Sequence, residues 1–166
     1  MNSIITYETL GEIKTLVAET FCHLGEPQFV DVVKAEFNPR FVSRSGDANY
    51  KKLRVRFSAP LWPRALPMQR RATIIHETCH IVAIHHALQN DKLLFSYTPH
   101  GAYWQSLMVR CGLEPRRCHN ISTAGLRTNV IAYCKCKIWR ITKNRATRMK
   151  NGQQYYCPSC KGPIAR

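Results

Sequence analysis

Four of the seven histidines in this chain of 166 residues lie close together, in the segment IIHETCHIVAIHH at residues 74–86. His76, Glu77 and His80 form an H-E-x-x-H motif. In a helix, residues i and i+4 lie about 40° apart around the axis and one turn apart along it, so both imidazoles face one point. Glu77, about 100° from His76, is near enough to take a proton from a water that the metal polarises. The motif therefore predicts a zinc hydrolase with Glu77 as general base.

The same helical geometry separates the other side chains of this segment. His85 lies about 180° and His86 about −80° from His76, so we expect neither to reach the shared metal. Cys79 lies about 60° behind His80, away from His76. We interpret Cys79 as a buried thiol that acts as a small apolar side chain, and we do not assign it to the metal.

The motif lacks one ligand, because a catalytic zinc site has three protein ligands and one open position. His100 is the best candidate for the third. It lies in the segment TPHGAYW, where Pro99 and Gly101 restrict the backbone at a predicted loop-to-helix junction. His119, in a predicted linker, is a serious rival, and His23, at the end of an early helix, is a weaker one.

Elements that precede the motif are predicted to support it. Residues 9–24 show helical spacing of apolar side chains, and Thr9 and Glu12 fit a capping box at the helix start. Residues 39–58 are predicted to form a β-hairpin whose turn is Ser-Gly-Asp at 45–47. The segment between the helix and the hairpin, EPQFVDVVKAEF, is ambiguous between helix and strand.

The motif itself is predicted to lie on a buried helix over about residues 68–88, with Pro67 in the first turn. Residues 89–99 are predicted to form a loop. Residues 100–113 are predicted to form a short helix, and residues 114–129 a linker.

Four cysteines near the end of the chain have the spacing of two zinc-binding knuckles. They are Cys134, Cys136, Cys157 and Cys160. Four thiolates at about 2.3 Å from zinc form a closed tetrahedral site, which is structural. Residues 137–156 are predicted to form a two-stranded ribbon with Asn151 and Gly152 near its turn, and the metal would supply its folding energy. The alternative is a disordered tail with free thiols.

The charge of the chain is unevenly distributed. The net charge is +15, yet residues 1–114 carry 13 basic and 10 acidic residues, whereas residues 115–166 carry 12 basic residues and no acidic one. This asymmetry favours a polyanionic partner over a merely solvated basic surface. Basic side chains neutralise phosphates, and aromatic rings stack on unpaired bases. The residues predicted to contact nucleic acid are Lys135, Lys137, Trp139, Arg140, Lys143, Arg145, Arg148, Lys150 and Tyr156.

The expected compartment follows from the start of the chain and from its cysteines. No signal peptide is recognisable, and no apolar run approaches the roughly 18–20 residues of a membrane span. Eight cysteines without a secretory signal indicate a reducing compartment, where they serve as metal ligands or buried thiols. We therefore expect a cytoplasmic, nucleoid-associated protein that is neither secreted nor membrane-bound.

The segments HETCH and PHGAYW, together with SRSGDANY before them, resemble the SprT-like (SprT/Spartan) zinc metalloprotease family. The tail, with YCKC and CPSC, is similar to the C-terminal zinc ribbon of SprT, so the resemblance covers roughly residues 40–166. It implies His76, His80 and His100 as zinc ligands and Glu77 as general base. It also implies an α+β, zincin-like fold: an N-terminal helix, a small antiparallel sheet, the H-E-x-x-H helix and a third-ligand helix.

The two domains expected from these patterns are a metalloprotease domain at 1–130 and a basic zinc-ribbon subdomain at 131–166, with one catalytic and one structural zinc ion. The resemblance implies cleavage of DNA-bound or DNA-crosslinked proteins, with DNA that is single-stranded or has single-stranded regions as a partner. An edge strand near residues 53–57 is expected to align the substrate. Two alternatives remain: a non-proteolytic nucleic-acid-binding or regulatory zinc protein, and a metal-dependent hydrolase of a small substrate.

Overall fold

The computed structural model describes residues 7–90, 97–126 and 129–166. Contacts within the chain divide it into two compact units, the N-terminal unit Met1–Ser122 and the C-terminal unit Thr123–Arg166. Both contain helices and small β-sheets, so the chain is a mixed α+β protein. Part of the predicted loop at 89–99 lies outside the described residues. None of the described helices is both long enough and apolar enough to cross a bilayer.

The first helix, α1 (Tyr7–His23), packs one apolar stripe into the core. Ile13, Val17 and Phe21 are buried at helical spacing, as the sequence predicts. The predicted capping box is wrong, because the helix already includes Tyr7 and Thr9 therefore lies inside it. A capping box requires its first residue to stand outside the helix, and no glycine or proline ends the helix before Thr9.

A three-stranded sheet follows, made of β1 (Lys34–Asn38), β2 (Gly46–Asn49) and β3 (Arg54–Ser58). The strand order is β1-β3-β2, with β3 parallel to β1 and antiparallel to β2. The sheet is therefore mixed, and the prediction of a small antiparallel sheet is wrong. The prediction that residues 53–57 form an edge strand is also wrong, because β3, with buried Val55 and Phe57, takes the central position.

The hairpin of β2 and β3 exists, but its predicted turn is misplaced. Gly46 and Asp47 belong to β2 and pair with Phe57 and Arg56. The chain reverses instead through a short 3₁₀ helix at Tyr50–Lys52, which the Asn49 side chain caps by accepting a hydrogen bond from the backbone N–H of Lys52 at 2.9 Å. A Ser-Gly-Asp triplet is a local turn signal, and here pairing with β3 overrides it.

The long helix α2 (Pro67–Gln89) carries the H-E-x-x-H motif and begins with the predicted first-turn proline. The backbone N–H of Leu66 donates to Oε1 of Gln69 at 2.8 Å, which satisfies one donor at the helix start. Apolar side chains around the motif are buried against α1 and the sheet. The next helix, α3 (Ala102–Arg110), packs on α2 through Trp104, Leu107 and Met108.

The C-terminal unit consists of β4 (Asn129–Tyr133), β5 (Ile138–Thr142) and α4 (Lys143–Lys150). The two strands pair antiparallel around the first cysteine knuckle, so the predicted ribbon within 137–156 is wrong. Residues 143–150 lack strand alternation, and the Thr142 hydroxyl accepts a hydrogen bond from the Arg145 N–H at 3.3 Å, which starts a helix. Small apolar groups form a local core: Ala132, Ile141, Ala146, Cys157 and Ile164.

Candidate metal centres

Three histidines of the N-terminal unit converge on one point. His76 and His80 lie one turn apart on α2, and His100 lies just before α3. One ring nitrogen from each lies within 4.8 Å of the others, and Nε2 of His100 is 3.2 Å from Nε2 of His76. Ligand nitrogens about 2.05 Å from a tetrahedral zinc ion would be separated by roughly 3.3 Å. The arrangement therefore fits a single zinc ion held by three histidines, with one position left open.

The electrostatics of these imidazoles favour the neutral, ligating form. Burial, and then the neighbouring His100, lowers the pKa of His76 to about 4. Burial, and then the other two histidines, lowers the pKa of His80 to about 3. Burial, with Arg117 nearby, also lowers the pKa of His100. At neutral pH each ring therefore offers a lone pair, which a metal ion requires.

His76 makes two hydrogen bonds that involve backbone atoms, one through its ring and one through its own carbonyl group. Its ring hydrogen-bonds the backbone of Arg116. This hydrogen bond raises the pKa of His76 slightly against the larger effect of burial. The indole N–H of buried Trp104 donates to the carbonyl oxygen of His76 at 3.4 Å, and its ring stacks on His80 at a centroid distance of 5.4 Å. Helix α3 thus supports two ligands while its preceding residues supply the third.

Glu77 lies beside this cluster in a buried position. Burial, and then the nearby Asp47 carboxylate, raises the pKa of Glu77 to about 8, while Arg44 acts in the opposite direction. Asp47 itself is held by a two-pronged ion pair with Arg56, with distances of 2.7 and 2.6 Å. A carboxyl group whose pKa is near neutral is suited to both accepting and returning a proton. Sequence spacing alone did not indicate this pKa shift.

Four cysteine sulfurs of the C-terminal unit form a second cluster. The Sγ atoms of the two knuckles all lie within 4.8 Å of one another. Cys136 Sγ lies 3.5 Å from Cys134 Sγ and 3.6 Å from Cys157 Sγ. Thiolates about 2.3 Å from a tetrahedral zinc ion would be separated by roughly 3.8 Å. The cluster thus fits one zinc ion with no open position, which is the geometry of a structural site.

The pKa values of the clustered cysteines also indicate a metal site. Hydrogen bonds to Cys134 and then Cys157, with burial, raise the pKa of Cys136 to about 12. Burial raises the pKa of Cys134, but hydrogen bonds from Trp139 and Cys136 outweigh it and lower that pKa to about 6. Four sulfurs this close cannot all ionise without a cation between them, so the site needs a metal to be stable as tetrathiolate.

Comparison with known proteins is decisive for the family. The model of the SprT-like family matches residues 14–124, which include the whole histidine cluster and Glu77. The chain belongs to the SprT-like family. It is also 29% identical over 126 residues to Protein SprT of Pseudomonas aeruginosa strain LESB58, which covers 73% of each chain. Protein SprT of strain UCBPP-PA14 matches with the same identity and coverage. The resemblance inferred from the sequence is confirmed.

The other histidines of this SprT-like protein have separate partners. His85 Nδ1 lies 2.8 Å from the Tyr50 hydroxyl, and His86 stacks on Tyr103 at a centroid distance of 4.1 Å. The two rival ligands are also engaged elsewhere: Nε2 of His23 lies 2.8 Å from the carbonyl oxygen of Arg110, and Nε2 of His119 lies 3.3 Å from that of Ser43. Among the described residues, neither rival joins the metal-ligating group.

Gly46 lies beside the candidate site, and sequence reasoning missed this placement. A Cβ atom at Gly46 would lie 2.8 Å from Cγ and 2.9 Å from Oε1 of Glu77. Only glycine therefore allows β2 to approach the buried carboxyl group this closely. The sequence showed Gly46 only as part of a turn-like triplet, because its contact with Glu77 joins residues 31 positions apart.

The residues predicted to contact nucleic acid differ in their exposure and in their contacts within the C-terminal unit. Most of the basic side chains are exposed, and Arg145 packs over the Tyr155 ring at 4.2 Å. Trp139 donates its indole N–H to Cys134 Sγ at 3.3 Å, so it contacts the four-cysteine cluster directly. The Lys137 ammonium group lies over the Trp139 ring, 4.4 Å from its centroid. Tyr156 is exposed, with its hydroxyl donating to Gln154. Contact of these residues with nucleic acid stays a prediction.

Proposed function

We propose that this SprT-like protein is a zinc-dependent endopeptidase of the H-E-x-x-H type that cleaves proteins bound or crosslinked to DNA. The observation that carries the proposal is the convergence of three neutral histidines on a point with one open position, beside a buried glutamate. A structural site has no use for the open position or for the glutamate. His76, His80 and His100 hold the zinc ion in this proposal.

Zinc bound there supplies Lewis-acid chemistry, since it polarises a peptide carbonyl and acidifies water. Glu77 contributes the proton transfers. Its carboxylate takes the proton of the attacking water and returns a proton to the leaving amine, which is the role of a general acid–base group. Trp104 and the Arg116 backbone hold His76 in place, so the two ligands on α2 keep a fixed orientation while the substrate changes.

The substrate strand is proposed to lie along β2 rather than β3. β2 is at an edge of the sheet as described, and its first residue touches Glu77. An extended peptide can add to such an edge through backbone hydrogen bonds, which would place its scissile bond next to the glutamate. This sheet edge, α2 and the third-ligand segment together support the zincin-like assignment of the N-terminal unit.

The basic C-terminal unit is proposed to direct the enzyme to DNA with single-stranded regions. Its exposed lysines and arginines neutralise phosphates, and exposed Tyr156 provides a ring face for an unpaired base. The four cysteines would hold a zinc ion, and its binding energy would make this short unit rigid enough to present those side chains. A cytoplasmic, nucleoid-associated location follows from this proposal.

Glu77→Gln is the variant that tests the proposed chemistry. Zinc-loaded wild-type protein is expected to cleave a basic DNA-binding protein when single-stranded DNA is present, and much more slowly without it. Removal of the carboxylate is expected to reduce the cleavage rate by about 10²–10⁴-fold, because the proton acceptor is lost. Rates are measured by the appearance of fragments on gels and by mass spectrometry, and zinc content is measured on the same samples.

The control for this variant is Glu12→Gln, which changes an exposed glutamate of α1. It should retain full activity. Equal cleavage rates for wild type and Glu77→Gln would show that Glu77 is not the general base. No cleavage of any DNA-bound substrate by protein with both zinc ions present would instead favour a non-proteolytic, nucleic-acid-binding role.

Gly46→Ala tests the close approach of β2 to Glu77. The added methyl group would also lie 3.0 Å from the Arg56 carbonyl oxygen, so the Glu77 carboxyl group must shift. We expect proteolysis to fall on the order of 10²-fold while zinc content is retained, since a displacement of about 1 Å is enough for such a loss. Gly11→Ala is the matched control, because nothing lies within 4 Å of a Cβ there. Unchanged activity in Gly46→Ala would contradict the proposed role of this contact.

A further inference from the structure

Residues 114–122 form an irregular segment of the N-terminal unit that the proposed chemistry does not use. The segment follows α3 and contains no helix or strand. Its residue Ile121 is only 7% exposed, so the segment is held against the unit rather than projecting into solvent. Residues 114–122 are called the strap below, and two side chains attach it to the elements that carry the candidate site.

Gln69 makes the first attachment, at the start of α2. Its Oε1 atom accepts a hydrogen bond from the backbone N–H of Leu66 at 2.8 Å, and its Nε2 atom donates to Oδ1 of Asn120 at 2.6 Å. An amide group has a distinct donor end and acceptor end, so these two bonds together fix its orientation. One side chain therefore ties Asn120 of the strap to the first turn of the metal-binding helix.

His119 makes the second attachment, on the other side of the site. Its Nδ1 atom accepts a hydrogen bond from the backbone N–H of Ile121 at 3.2 Å. In a neutral imidazole the proton is then on Nε2, which lies 3.3 Å from the carbonyl oxygen of Ser43 and donates to it. Ser43 precedes Gly46 by three residues, and Gly46 is the residue that lies against Glu77. This bond therefore ties the strap to the segment that leads into β2.

The two attachments place the strap between the two elements that flank the candidate site. Asn120 is fixed to the start of α2, and His119 is fixed just before the start of β2. Three residues before His119, the backbone of Arg116 hydrogen-bonds the ring of the metal ligand His76. The strap thus borders the site on the side where α2 begins and β2 begins.

We propose that the strap is one wall of the substrate cleft, and that Gln69, His119 and Asn120 are positioning residues that hold this wall in place. The inference rests on the proposed proteolytic function, in which the substrate strand lies along β2. A peptide whose scissile bond lies beside Glu77 has β2 on one side and passes the strap near Ser43. A wall that is already fixed costs no ordering free energy when the peptide binds, so the attachments favour substrate binding.

Asn120→Ala tests this role in the full-length, zinc-loaded protein. The attachments touch neither the metal-binding point nor the reacting atoms, so their loss should weaken substrate binding and leave the chemical step nearly unchanged. With an unstructured peptide as substrate, KM should rise about tenfold, while kcat stays within about twofold of wild type. Zinc content should stay at about two ions per chain. A fall in kcat with KM unchanged would contradict the proposed wall.

A second readout needs no turnover. In Glu77→Gln protein, which is expected to bind the peptide without rapid cleavage, fluorescence anisotropy should show that Asn120→Ala raises the Kd of the same peptide about tenfold. Hydrogen–deuterium exchange should become about tenfold faster for the amides of residues 116–121. Unchanged exchange would overturn the inference whether or not the protein is a protease. Weakened peptide binding in Asn120→Ala, with no cleavage by wild type, would instead refute the proposed function and support the wall.

Three further variants control for a merely structural effect. Asn120→Asp keeps an oxygen that can accept the Gln69 N–H, so it should restore KM to within about twofold of wild type. His119→Leu removes the other attachment and should raise KM in the same way, which provides a second test if Asn120→Ala does not fold. Asn144→Ala, which changes an exposed asparagine of α4, should leave KM unchanged. A rise in KM that Asn120→Asp does not reverse would overturn the inference.

Discussion

Replacement of His80 by alanine is expected to remove the zinc ion of the histidine cluster and to abolish proteolysis. His80 is the middle ligand, with ring centroids 4.9 Å from His76 and 4.7 Å from His100. Two histidines that remain cannot close a stable site, because catalytic zinc requires three protein ligands. Zinc content, measured by atomic emission, should fall from about two ions to about one per chain. The remaining ion should be the one in the four-cysteine cluster.

His86→Ala is the matched control for His80→Ala, because it removes an imidazole from the same helix without touching the metal-binding point. His86 stacks on Tyr103 instead. This variant should keep about two zinc ions and near-normal cleavage. Retention of both ions by His80→Ala would refute the histidine site. Loss of an ion from His86→Ala would show that His86 is a ligand, which contradicts the assignment of the ligands to the face of α2 that carries His76 and His80.

Cys160→Ser is expected to unfold the C-terminal unit and to uncouple proteolysis from DNA. Among the described residues of the unit, five small or medium side chains are buried in its core, so metal binding would supply much of its folding free energy. Structural zinc in small domains contributes on the order of 10–16 kcal/mol of binding free energy, far more than such a core. Zinc content should fall to about one per chain, and affinity for single-stranded DNA should drop sharply. Proton NMR spectra would show collapse of the dispersed signals from β4 and β5.

The N-terminal unit provides the internal reference for this variant. Its helix signals should persist, and cleavage of a peptide substrate without DNA should stay near the wild-type rate. Cys118→Ser is the matched control, since Cys118 is an exposed cysteine outside the four-cysteine cluster. A folded C-terminal unit and full zinc content in Cys160→Ser would show that this cysteine is not a ligand.

Several features of the protein are readable from the sequence because they depend on neighbouring residues. The H-E-x-x-H spacing on a helix places two imidazoles on one face, and the predicted helix at about 68–88 is observed at Pro67–Gln89. The Pro-His-Gly context selected His100, which the structure brings to the other two histidines. The cysteine spacing likewise predicted the second cluster. Each of these signals lies within a few residues along the chain.

The predictions that were wrong concern features that depend on residues far apart along the chain. The Ser-Gly-Asp turn signal at 45–47 was overridden when Gly46 and Asp47 paired with β3, and the central position of the sheet is taken by β3, whose Val55 and Phe57 are completely buried. In the C-terminal unit, an Asn-Gly pair suggested a hairpin turn, yet residues 143–150 form a helix whose apolar side packs on the local core. Local turn signals are worth little against such burial.

The sequence by itself determined the spacing of the candidate metal ligands and the basic character of the C-terminal region. Only the tertiary structure decided that Gly46 lies against Glu77 and that the Arg116 backbone hydrogen-bonds His76. These contacts join residues about 30 to 40 positions apart along the chain. Such contacts form because packing of helices and strands minimises exposed apolar surface, and that packing depends on the whole unit rather than on any local spacing.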